Sequence, residues 1–263
     1  MQSSFLMAGA VAGLVIMQPV LAQQPPQVAV PQANGRTFRI DSTQVQALGQ
    51  LLLNGTEVRL NNFTPNRQGD RGWHRPNDSR IRLSPLFGGS EFRFNLPETR
   101  IGLPTGQARY YVNQLNSSKL SLALEGKALK ISMEFANRGR ELEGRGFLNP
   151  PSFNLRNSRL DVFLTPTRDS AGRLTYSTVR VSFNSDISPT DTWSSIVAGI
   201  GNLVGMQYRS QIKSAIENEV RSYLQDPSTR AIVTERLQER LDLLGIRNLT
   251  DVRVEGNAVV LEQ

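Results

Sequence analysis

The sequence predicts an α+β fold: a run of antiparallel strands, then helices, then a short closing hairpin. Two observations carry that prediction. Apolar residues recur with period 2 from residue 56 to about 187, and the spacing turns helical from 188 to 245. Strands and helices thus occupy separate stretches instead of alternating, which excludes a wound parallel sheet.

Taken in order, residues 1–22 read as a secretory signal. An apolar run over 5–16 is broken by Gln18 and Pro19, and Val20-Leu21-Ala22 supplies small residues where a signal peptidase cuts. The run is shorter than the ~20 residues that span a bilayer, so cleavage near Gln23 is expected. The competing reading is a retained anchor, because Met1 to Ser4 carry no Lys or Arg. Residues 23–35, QQPPQVAVPQANG, read as a flexible leader, and 36–263 as a single domain. A helix follows, capped by Asp41 or Ser42, with Val45, Leu48 and Leu52 at helical spacing and Asn54-Gly55 at its end.

Phe92, Phe94 and Leu96 alternate with polar residues, as do Leu120, Leu122 and Leu124, then Leu129, Ile131, Met133 and Phe135. Leu160, Val162 and Leu164 continue the pattern, and Val179, Val181 and Phe183 close it. Glu125-Gly126-Lys127 reads as a tight hairpin turn and 168–172 as a longer one. Arg59, Arg82, Arg93 and Arg180 fall on the solvent positions of these strands. Trp193, Ile196, Val197, Ile200, Leu203 and Val204 open a helical stripe that Ile212, Ile216 and Val220 extend. Asp226-Pro227 restarts a helix with the stripe Val233, Leu237, Leu241 and Leu244, ended by Gly245. Val252 and Val254, a Gly256-Asn257 turn, and Val259 or Val260 with Leu261 form the last hairpin.

The chain has no Cys, one His, and a net charge of +7 made by 26 Arg and 4 Lys against 23 carboxylates. An exported chain without Cys relies on its core alone, and suits a bacterial periplasm or cell envelope better than eukaryotic secretion. One His and no Cys exclude the common zinc ligand sets and thiol nucleophiles. No hydrolase elbow, phosphate-binding loop or dinucleotide fingerprint is present. His74 lies alone in a polar loop, and Glu141 and Glu143 are flanked by Arg, which suits ion pairing more than acid catalysis. No catalytic residue, metal or cofactor is therefore expected. The arginines are dispersed, so nucleic acid is not an expected partner, whereas anionic lipid headgroups or acidic glycans are. The loop 66–80 combines Arg67, Arg71, Arg75 and Arg80 with Trp73. It reads either as a docking tip for an anionic surface or as a loop whose Trp packs back on the body.

The strands over 120–135 and 174–183, the helix 208–224 and the ending over 244–254 together resemble the tubular lipid-binding superfamily, nearest its single-unit bacterial envelope type. The resemblance implies a curved antiparallel sheet wrapped on long C-terminal amphipathic helices, holding acyl chains in an apolar interior. Gly199, Gly201 and Gly205 depart from a strong helix former in that element. Residues placed to line such an interior are Leu122, Ile131, Met133, Phe135, Val181, Phe183, Ile200, Leu203, Val204 and Ile216. The alternative is that they simply pack together as a solid core. Two functions follow: an exported envelope protein that binds or shuttles lipid or another amphiphile, or an adaptor binding protein or acidic glycan through the Arg/Trp loop.

Overall fold

The computed structural model describes residues 35–62, 78–82, 91–94, 98–103, 106–145, 152–190 and 201–263. The signal segment, His74, Trp73, Arg67, Arg71, Arg75, Trp193 and Ile200 lie outside the described residues. The chain runs β1 (Thr37–Asp41), α1 (Ser42–Leu53), β2 (Glu57–Leu60), β3 (Ser79–Arg82), β4 (Glu91–Phe94), β5 (Thr99–Leu103), β6 (Gly106–Val112) and β7 (Leu115–Glu125). It continues β8 (Ala128–Ala136), β9 (Leu142–Arg145), β10 (Phe153–Arg168), β11 (Leu174–Pro189), α2 (Gly201–Gln225), α3 (Pro227–Leu243), β12 (Asp251–Glu255) and β13 (Ala258–Glu262). The α+β class holds. A strongly curled antiparallel sheet carries the C-terminal helices and a C-terminal hairpin.

The large sheet has the order β4-β3-β2-β7-β8-β10-β9-β6-β5, with β11 on the remaining edge of β10. Its centre is set by register. Leu120, Met133, Leu160 and Phe183 face one another across β7, β8, β10 and β11, and Leu122, Ile131, Val162 and Val181 form the next row. Leu124, Leu129, Leu164 and Val179 make a third. A shift of one residue in any strand would send its whole apolar set to water, so the rows fix the pairing. The opposite face carries the alternating polar residues. There Arg180 stacks 3.9 Å from the Phe163 ring, with the Lys130 ammonium 5.1 Å from it. Arg59 pairs with Asp78 and Arg93 with Glu91, as solvent-facing arginines should.

The sheet turns a corner where β6 gives way to β7 and β8 to β9. Gln114, Arg140 and Asn157 all take positive φ (51°, 56° and 52°) on neighbouring strand paths. Glu141 binds the corner together. It is fully buried, and its carboxylate accepts N–H bonds from Arg138 and Gly139 (2.6 Å each) and Leu155 (2.8 Å). Glu143 accepts from the Ser152 hydroxyl (2.9 Å) and pairs with Arg140 (3.2 Å). Both carboxylates are thus held in structural bonds.

Helix α1 begins at an Asp41 N-cap with Gln44 closing the capping box, and it lies against β7. Helices α2 and α3 lie against β11. The α3 N-cap, Asp226, accepts from Ser228 and Thr229 N–H ahead of Pro227. The small sheet, β1-β13-β12, has its own core of Leu241, Ile246, Leu249, Val252, Val259 and Leu261.

Two expectations need correction. Residues 37–41 form a strand, where the sequence reading had the helix following the leader directly. Phe38 and Ile40 do alternate with polar residues, but the run is five residues long and, among the described residues, its strand partner is β13 at the far end of the chain. Leu244 is 70% exposed and leaves the α3 stripe. The helix stops at Leu243, Gly245 turns the chain with φ 72°, and Ile246 takes the buried position instead.

Candidate functional site

The α2 helix runs along β11 in the opposite direction, and three contacts fix its alignment. The Glu217 carboxylate accepts the Phe183 N–H (2.8 Å), a group on the β11 edge that faces away from β10. The Tyr176 hydroxyl donates to the Leu224 carbonyl (2.7 Å). Residues 185–188 of β11 share a cleft with Arg209, Ser210 and Lys213 of the helix. Between those points lies an apolar seam: Ile187 and Phe183 on the strand, Ile212 on the helix, all buried, and half-buried Ile216.

At the upper end of the seam Ile187 also lines that cleft, of about 760 Å³, with Arg156, Asn157, Ser185, Asp186, Ser188, Arg209, Ser210 and Lys213. A bulge builds its strand wall. Arg156 pairs with Asp186 and Arg159 with Asn184, so Asn157 and Ser158 share one opposing residue, Ser185. A bulge bends the strand and re-aims its side chains, and Asn157, in the left-handed region, leaves the ladder here. Its amide donates to the Asp186 carboxylate (2.7 Å), while the Ser158 and Ser185 hydroxyls meet at 2.9 Å and Ser185 also donates to the Arg156 carbonyl. The helix wall presents Arg209 and Lys213 four residues apart, on one face.

Three cationic side chains therefore surround an opening that contains one carboxylate, and Ile187 of the main core lies among them. Among the described residues, Arg156, Arg209 and Lys213 form no salt bridge. Such a lining can hold an anionic polar group beside one apolar side chain, Ile187.

The sequence-chosen residues distribute as follows. Ile131, Met133, Phe135, Val181 and Phe183 are buried in one cluster, and Leu122 and Ile216 are half-buried against it. Leu203 and Val204 lie in the first turn of α2, and Ile200 is outside the described residues. Phe183 and Ile216 belong to the seam below the cleft. Arg80, from the Arg/Trp loop, ends in ion pairs with Asp78 (3.2 Å) and Glu91 (3.7 Å). The cleft residues Arg156, Arg209 and Lys213 were not singled out. One signal was available: Ser185 interrupts the apolar alternation Val179, Val181, Phe183 before Ile187 resumes it. The bulge that assembles the cleft has no such signature.

Among the described residues, no group of three His, Asp or Glu could hold a metal ion. No helix among them is long and apolar enough to cross a membrane.

No protein-family model matches the chain, and no curated protein does. Among solved structures, a crystal structure of lipopolysaccharide binding protein aligns over 79% of this chain at 14% identity and a TM-score of 0.24. The chain covers 49% of that protein, about half its length. At that TM-score the alignment carries no argument.

Proposed function

We propose that this chain is an exported envelope protein that binds lipid or another amphiphile along the seam between β11 and α2, without catalysing a reaction on it. The observation that supports the reading is the junction at Ile187. There the cationic, hydroxyl-lined cleft includes Ile187, which belongs to the same core cluster as Phe183 and Ile212, with Ile216 packed against it. A ligand with one polar end and one apolar end suits the cations and Ile187 together, and its apolar part would enter between β11 and α2. Export rests on the N-terminal segment and places the protein where amphiphiles are abundant.

The test is native mass spectrometry of protein purified from an envelope fraction, together with uptake of a neutral fluorescent diacylglycerol. Adducts of lipid mass and stoichiometric uptake are expected, on a chain whose first residue is near Gln23. A clean apo mass with no uptake would overturn the reading.

A further inference from the structure

We propose that the cleft at the top of the seam is selective for a phosphate-type oxyanion, which deepens the amphiphile reading by naming the polar group it takes. The argument begins with charge. Arg156 comes from β10, and Arg209 and Lys213 from α2, so two separate elements bring three cations to one opening. Like charges are not gathered without a compensating anion at no cost, and among the described residues none of the three has a carboxylate in an ion pair. The one carboxylate in the lining, Asp186, accepts the Asn157 amide at 2.7 Å and offsets one of the three cations, so the lining stays net positive.

The donor types in the lining suit a tetrahedral oxyanion. Arginine presents a planar fork of donors that matches two oxygens of a phosphate, and lysine adds a point charge for a third. Ser188 extends the donor set on the strand side. The volume, about 760 Å³, accommodates a headgroup-sized ligand. The bulge at Asn157 and Ser158 lies next to Arg156 in the strand wall of the cleft, at one of two register shifts in the 16-residue strand.

The same chemistry is carried by a phosphomonoester lipid headgroup and by a soluble phosphorylated compound, and the experiment separates them. One arm measures binding to vesicles of phosphatidylcholine with and without phosphatidic acid. The second titrates glucosamine 6-phosphate in the absence of lipid. Both use the full-length mature protein, the triple variant Arg156→Gln/Arg209→Gln/Lys213→Gln, and a charge-matched control, Arg36→Gln/Arg82→Gln/Lys127→Gln. The control sites are exposed and lie away from the cleft. Thermal melting establishes that each variant is folded, and single cleft substitutions replace the triple if it is not.

Wild type is expected to prefer phosphatidic acid vesicles by about tenfold or more, and the cleft triple to lose that preference while the control keeps it. Glucosamine 6-phosphate binding that the cleft triple alone abolishes also supports the proposal and assigns a soluble source. Equal losses in both triples would reduce the effect to net charge and overturn it, as would no phosphate preference in wild type. Neutral diacylglycerol uptake reads the amphiphile function separately. Uptake without phosphate preference sinks only this proposal, and phosphate binding without uptake sinks only the amphiphile reading.

Discussion

A methyl group added at Gly49 would stand 2.6 Å from the Cβ of Leu122 and 3.1 and 3.2 Å from that residue's backbone nitrogen and oxygen. Alanine is the better helix former by ~1 kcal/mol in an exposed helix interior. Here the neighbours are mainly backbone of β7 and cannot swing aside, and overpacking of that kind costs ~1–3 kcal/mol. Gly49→Ala is therefore expected to destabilise the fold by about 1–2 kcal/mol in urea denaturation; a stabilised variant would show that α1 can lift off the strand. The sequence gives this glycine no distinguishing mark, because its meaning depends on a strand 73 residues away. Glu141 makes the same point for a charged residue. Its neighbours Arg138, Arg140 and Arg145 suggest ion pairing, yet its carboxylate serves three backbone N–H groups at the sheet corner. Local charge described Glu143 correctly, since Arg140 does pair with it.

The pair β11 and α2 contributes most of the cleft lining and the apolar seam. Strand β11 is an edge, and edges need cover. The cover is made by specific bonds, from Phe183 N–H to Glu217, from Tyr176 to the Leu224 carbonyl, and from Thr234 to Thr175. Burial pushes the Tyr176 phenol above its ordinary pKa, opposed in part by the Arg230 charge, so it stays a donor throughout the physiological range. Tyr176→Phe deletes the donor and leaves a buried carbonyl at the end of α2 unpaired. The expected loss is about 1–2 kcal/mol, with faster hydrogen exchange over 220–225 and little change over 205–215. Uniform acceleration along α2 would mean that the helix does not depend on this anchor. Sequence periodicity located both elements and their apolar stripes. It could not say that their polar flanks meet, because that requires the strand order, the helix direction and the bulge at Arg156/Arg159.

Across the whole molecule, stability rests on two cores joined where Leu124, Leu129 and Leu174, at the hairpin ends of the large sheet, pack on the small one. Charge adds a pH dependence to that framework. Burial alone would raise the Asp161 pKa, but hydrogen bonds from Ser132 and Arg159 and the charges of Arg159 and Lys130 outweigh it, and the net shift is downward from 3.8. Asp169 is lowered in the same sense, its burial outweighed by Arg173 and the Ala171 N–H. A carboxylate whose folded pKa is depressed stabilises the fold above its unfolded pKa, and the contribution is lost as pH falls through the folded value. Asp161→Asn is thus expected to be less stable than wild type at pH 7, with the gap closing as pH falls below about 4. A gap that stays constant in urea denaturation between pH 7 and pH 3 would remove Asp161 from that account. By itself the sequence determined the α+β class, a first helix cap at Asp41 or Ser42, the cap at Asp226, the hairpin at Gly256-Asn257 and the alternating rows of the central strands. Those are set by neighbours within a few residues, where periodicity, capping and turn chemistry act. Strand β1, the corner held by Glu141 and the cleft around Ile187 were decided only by the tertiary structure. Each depends on groups far apart in sequence that a curled sheet and its covering helix bring to one place.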